Sequence, residues 1–185
     1  MDVFQPDAFV LCRNVAPLIK WAFALIAAGK PVGMLGKDIG KAISSLIEKM
    51  KAKDIPDLRV KLMAWQKEEI ERLQERDPEA TGEFIIERAD SVRTFINCSG
   101  ADTVDGVLKT VDRLFSDAVD GAIKLSTVHK SKGLEAERVI ILDRQLMPSK
   151  YAIHEWQKEQ ENNLQYVAIT RSINYLGYIE TPEAA

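Results

Sequence analysis

What most constrains this chain is a change of texture, from short buried strands to helices and back again. Near the start, Ala8-Phe9-Val10-Leu11-Cys12 is a short apolar run of the kind that forms a buried strand. Asn14 stands where a helix cap belongs, a helix is predicted from about Ala16 to Ala28, and Gly29 ends it. Pro31-Val32-Gly33-Met34-Leu35 reads as a second strand. Strand, helix, strand with short links is the βαβ unit of a parallel sheet. From about Asp38 to Ser116 the strands disappear. Ile43, Leu46, Ile47 and Met50 recur at helical spacing, as do Leu58, Leu62, Trp65, Ile70 and Leu73. Asp77-Pro78 breaks the run, and further helices are predicted over Glu83 to Ile96 and through Val104, Val107, Leu108, Val111 and Leu114. After Gly121, Ile123 to Thr127 and Val139 to Leu142 again read as buried strands. A helix from about Ala152 to Thr170 and a strand near Tyr175 to Ile179 follow. Neither α/β piece is large enough to bury a core alone. The sequence therefore predicts one parallel sheet built from residues 1–37 and 117–185, interrupted by a helical insertion at 38–116. Two adjacent strands, near Leu35 and near Ile123, should carry that insertion.

Composition narrows the function classes. Of the 185 residues, 46% are hydrophobic and 29% charged, ordinary values for a globular chain of one domain with an insertion. A net charge of -3 argues against a dedicated nucleic-acid-binding module, which is usually basic, but leaves room for a local basic strip. The two cysteines, Cys12 and Cys98, form no metal-type cluster and suggest a reduced, intracellular protein. His129 and His154 are too few for a metal site, and none is predicted. No apolar run approaches the roughly 20 residues that span a bilayer, so a cytoplasmic protein with no membrane partner is expected. Trp21, Trp65 and Trp156 occupy apolar helical positions and read as core, and Lys49, Lys51 and Lys53 read as a solvated strip.

The stretch Thr127-Val128-His129-Lys130-Ser131-Lys132-Gly133-Leu134-Glu135 directly follows a predicted buried strand. Strand ends in an open parallel sheet are where ligands bind, and a glycine permits close backbone approach. By composition alone a solvated polar loop is the better reading. The string, however, resembles motif V of the UvrD/Rep-like superfamily 1 helicases, Thr-x-His-x-x-Lys-Gly-Leu-Glu, at all its fixed positions. Tyr166-Val167-Ala168-Ile169-Thr170-Arg171-Ser172 resembles motif VI of that family, in the family's order and with a strand between the two. Leu11-Cys12-Arg13-Asn14 is similar to motif IV, with Cys12 where the family often has an adenine-stacking tyrosine. Upstream of motif VI, Gln160-Glu161-Asn162-Asn163-Leu164 departs from the family's Glu-Glu-Arg-Arg-Leu.

The resemblance implies a RecA-like α/β fold, a parallel sheet with helices on both faces, interrupted by the α-helical insertion. It implies the second motor domain of an ATP-dependent DNA helicase of 3′-to-5′ polarity. On that view Arg13 and Arg171 reach the γ-phosphate of ATP, and Gly133 and Glu135 lie by the nucleotide, Glu135 near the ribose hydroxyls. Thr127, His129 and Lys132 lie between nucleotide and DNA backbone. The cofactor is ATP with Mg²⁺, held mainly by a first RecA-like domain, which is a partner together with single-stranded DNA or a duplex junction. Two arginines sharing one phosphate should project from the same sheet edge as Glu135, partly exposed and without a bidentate carboxylate. The alternative for Arg13 is a salt-bridged arginine at a strand end. A phosphate-cradling loop of the form Gly, four residues, Gly-Lys-Ser/Thr is missing. Its nearest imitation, Gly36 to Ala42, is one residue short and lacks the hydroxyl. The chain therefore reads as the C-terminal part of a longer helicase. The rival readings are a non-catalytic module that regulates a helicase or recombinase, and a nucleotide-binding regulator that never meets DNA.

Overall fold

A computed structural model describes residues 3–116 and 121–181. The chain forms two compact units, one made of the residues up to Gly36 with those from Ser116 onward, the other of Lys37–Phe115. The return to the sheet expected at residue 117 lies outside the described residues.

The first unit holds a sheet of five strands, all parallel: β1 (Phe9–Cys12), β2 (Val32–Met34), β3 (Ile123–Thr127), β4 (Ala136–Leu142) and β5 (Ser172–Ile179), in the order β2-β3-β1-β4-β5. This is the α/β, RecA-like architecture that the sequence predicts. All four residues of β1 are buried, as are the last four of β4, which explains their unbroken apolar runs. On one face Phe9 and Leu11 pack with Val139 and Ile141 of β4, and with Leu164 and Ala168 of α6 (Glu155–Ile169). Burying side chains of this size is worth about 1.5–3 kcal/mol each. Val10 and Cys12 alternate to the opposite face, and α1 (Val15–Ala27) packs against β1, β2 and β3. In register, Phe9 pairs with Lys124 and with Val139, and Val32 pairs with Ile123. The two strands that flank the helical residues are thus neighbours.

Strand ends differ from the sequence expectation where polar residues join the pairing. β4 starts at Ala136 and β5 at Ser172, three residues before the apolar segments that announce them, because Ala136 and Ser172 are themselves partners. α6 starts at Glu155 rather than near Ala152. The Gln157 side chain accepts from the backbone N–H of Ile153 and of His154, each at 3.0 Å, which holds those residues outside the helix.

The second unit is helical throughout: α2 (Lys37–Lys49), α3 (Ile55–Arg76), α4 (Glu83–Cys98) and α5 (Val104–Leu114). Its core includes Leu46, Leu58, Leu62, Val92, Phe95, Val107 and Val111. Asp54 caps α3 by accepting the Asp57 N–H at 2.8 Å, and Thr103 caps α5 by accepting the Gly106 N–H at 3.1 Å. Gly40, inside α2, lies against the Phe115 ring so closely that a Cβ would sit 2.7 Å from it. No described helix is long and apolar enough to cross a membrane.

Candidate functional site

In a parallel sheet, a residue that follows its strand and one that precedes its strand lie at opposite edges. Arg13 follows β1, and Thr127 closes β3 opposite Cys12. Glu135 precedes β4 and Arg171 precedes β5, and the Ala136 N–H donates to the Arg171 carbonyl at 3.0 Å. Arg13 and Thr127 therefore mark the C-terminal edge, and Glu135 and Arg171 the N-terminal edge. The expectation that the two arginines share an edge with Glu135 is overturned.

The Arg13 side chain is also engaged. Its Nε lies 3.1 Å from both Glu161 carboxylate oxygens and one terminal nitrogen lies 3.0 Å from Oε1, with each side chain only about a tenth exposed. Glu161 further accepts the Ser149 N–H at 3.0 Å. The expectation of an arginine without a bidentate carboxylate fails here, because α6 turns a carboxylate inward and a buried carboxylate requires a cation. Along α6 the rise from the Glu161 anchor to Val167, whose carbonyl holds Arg171, is about 9 Å. Donors to one phosphoryl group must each come within about 3 Å of its oxygens, so Arg13 and Arg171 as held here do not converge on one.

Arg171 is held by backbone. Its Nε donates to the Val167 carbonyl at 2.9 Å, Nη1 to the Leu134 carbonyl at 3.0 Å and Nη2 to the Thr170 hydroxyl at 3.0 Å. Among the described residues no carboxylate pairs with it. Beside it Glu135 is exposed, and Gly133 has φ +84° with open space where a Cβ would stand. That backbone conformation requires glycine, and the open space leaves the peptide reachable. Arg171, Gly133 and Glu135 are thus gathered in one place.

The connection from Val128 to Glu135 passes from one edge to the other. Thr127 is 7% exposed: its carbonyl accepts the N–H groups of Lys130 and Ser131, and its hydroxyl accepts that of Lys130 at 3.3 Å. Its hydroxyl builds the turn, while His129 and Lys132 are exposed on it. Val128 joins the sheet core and Ser131, fully buried, donates its hydroxyl to the Val128 carbonyl at 2.8 Å.

Cys12 is buried between β3 and β4, and burial first, with Asp143 adding to it, pushes its thiol up to about 12. It is a neutral core residue. Sequence reasoning missed Asp143, whose φ of 50° is unusual for a residue other than glycine. Its carboxylate accepts the Thr181 N–H at 2.6 Å and hydroxyl at 2.7 Å, and Trp21 Nε1 donates to the same Thr181 oxygen at 3.0 Å. An aspartate directly after an apolar strand was the available signal. Trp156 also departs from expectation. It is 58% exposed, not core, and stacks on His154 with ring centroids 6.3 Å apart and planes 7° apart. The buried stripe of α6 runs through Glu161, Leu164 and Ala168, and Trp156 lies off it.

The family profile described as UvrD-like helicase C-terminal domain matches residues 44–181. That span takes in most of the helical unit and both stretches that meet at Arg171, and leaves out Arg13. No curated protein matches the chain.

Proposed function

From the premise that the chain belongs to the UvrD-like helicase C-terminal domain family, we propose that it is the second motor domain of an ATP-dependent DNA helicase translocating 3′ to 5′ on single-stranded DNA. One observation carries this reading. The two stretches that resemble the family's motifs, far apart in sequence, are bonded to each other through Arg171 and the Leu134 carbonyl. A guanidinium has five N–H donors. The three bonds of Arg171 use one from each nitrogen, so each terminal nitrogen keeps one N–H, the fork that suits two phosphate oxygens.

The residues present fit a nucleotide: an arginine fork that no described carboxylate neutralises, an exposed carboxylate at Glu135, and reachable backbone at Gly133. ATP with Mg²⁺, held mainly by the P-loop of a first RecA-like domain, would supply the phosphoryl group whose hydrolysis drives movement. Arg171 would stabilise negative charge on that group, and Glu135 would accept from the ribose hydroxyls. His129 and Lys132 would face the DNA backbone, on a turn that Thr127 holds. A shift of the Val128–Glu135 connection at one edge would then be felt at the other. Arg13 belongs to the support of α6 and not to the phosphate set.

The test is directional. A polypeptide that joins this domain to its P-loop partner should hydrolyse ATP faster with single-stranded DNA, and should strip streptavidin from 5′-biotinylated but not 3′-biotinylated oligonucleotides. Hydrolysis indifferent to DNA, or displacement from the 3′ end alone, would refute the reading.

A further inference from the structure

We propose that the His154–Trp156 stack, together with the Arg144–Tyr178 pair on the same sheet edge, is a base-stacking platform for single-stranded nucleic acid. The proposal rests on the reading that this domain meets single-stranded DNA, and it assigns the contact to residues outside the family-like motifs. Arg144 follows β4 by two residues and Tyr178 is the penultimate residue of β5, so both stand at the C-terminal edge. Ser149 is tied through Glu161 to Arg13, which follows β1, so the segment leading into α6 lies at that edge as well. Thr127, with His129 just beyond it, ends β3 there too.

Trp156 is 58% exposed, Ile153 51% and Tyr178 45%. The indole and imidazole planes differ by only 7°, so the imidazole backs the indole and presets it as a ledge whose outer face a base can meet. The Arg144 guanidinium lies 5.1 Å from the Tyr178 ring centroid, and the Lys150 ammonium 5.1 Å from that of Tyr151. Glu155, next to Trp156, is neutralised by Lys158 at 2.8 Å, and Asp143 is engaged by Thr181. Arg144 and Lys150 have no carboxylate partner among the described residues. Flat ring faces interleaved with uncompensated cations match the two parts of a single strand, unstacked bases and phosphates. A duplex keeps its base faces covered and offers nothing to the ledge.

Anisotropy of a labelled short oligothymidylate, titrated with the chain at several salt concentrations, tests this. Trp156→Ala should weaken binding on the order of tenfold with an unchanged salt slope, and Trp156→Phe, which keeps a ring face, should recover most of it. Arg144→Gln should lower the salt slope by about one. Affinity unchanged by Trp156→Ala, or duplex bound as tightly as single strand, overturns the platform and leaves the helicase reading standing. Failure of the unaltered chain to bind any single strand would instead remove the reading on which the platform rests.

Discussion

Arg13 and Glu161 meet as a buried two-point ion pair that joins the end of β1 to the middle of α6, and Glu161 also secures the Ser149 N–H. Removing one partner strands the other charge away from water. Glu161→Ala or Arg13→Ala should destabilise the α/β unit by about 3–5 kcal/mol, whereas an apolar pair of similar volume at both positions should recover most of the loss. Denaturant unfolding of the single and double variants checks this. If the single changes cost less than about 1 kcal/mol, the pair is not a structural strut.

Arg171 should behave differently. In a polypeptide that includes the P-loop domain, Arg171→Ala should lower kcat by roughly 10³ or more, in the range known for arginines that stabilise a transferring phosphoryl group. Nucleotide affinity should change little, since the contact strengthens in the transition state. Arg171→Lys should not restore the rate, because an ammonium lacks the fork. Steady-state kinetics beside direct ATP-binding titrations separate the two effects, and equal loss of binding and turnover would mark Arg171 as merely structural.

By itself the chain should hydrolyse no ATP. Its sequence holds no phosphate-cradling loop, only the short Gly36 to Ala42 imitation, whose residues from Lys37 onward lie in α2. Phosphate release from purified protein that depended on Lys41 would show this expectation to be mistaken.

Cys12 gives a pH signature. Its thiol is held at about 12, above the ordinary 9.0, by burial and then by Asp143. The folded state therefore binds the proton more tightly than the unfolded chain does. This contribution to stability is fully present below 9.0 and is lost as pH rises from there towards 12. Thiol-reactive dye at pH 8 should label Cys98 readily and Cys12 only on unfolding. Cys12→Ala should flatten the alkaline limb of the stability curve.

Gly40 tests the helical unit. Alanine is intrinsically the better helix former by about 1 kcal/mol, yet its Cβ would overlap the Phe115 ring at 2.7–2.9 Å. Overpacking of this kind costs about 1–3 kcal/mol, so Gly40→Ala should lower the unfolding midpoint. Trimming the ring with Phe115→Leu in the same protein should return part of the loss, and a stabilised Gly40→Ala would mean that the ring moves aside freely.

Much of the fold was legible because periodicity is local. The apolar run of β1 and the helical spacing of Ile43, Leu46, Ile47 and Met50 are each encoded within a few residues. The edges were legible too, had chain direction been followed. Arg13 comes after its strand and Arg171 before its own, which in a parallel sheet suffices to separate them. The Arg13–Glu161 pair was not legible, since it joins positions 148 residues apart and only packing brings them together. Trp156 misled because hydrophobicity marks a candidate for burial without saying which face of a helix meets the sheet.

The strand order carries a consequence for synthesis. Of the described strands β1 and β2 are synthesised before the others, but they are not neighbours, since β3 lies between them. No described strand pairing can therefore form from the first thirty-six residues. Every hydrogen-bonded partner of β1 and β2 arrives only after the helical unit has been translated. Helices rich in local contacts fold faster than parallel sheets, which must close long loops. The nascent chain thus completes its inserted helical unit while two apolar strands wait upstream with a gap between them. During that interval, ended by the emergence of Ile123 to Thr127, the two strands lack their partners and are open to mispairing.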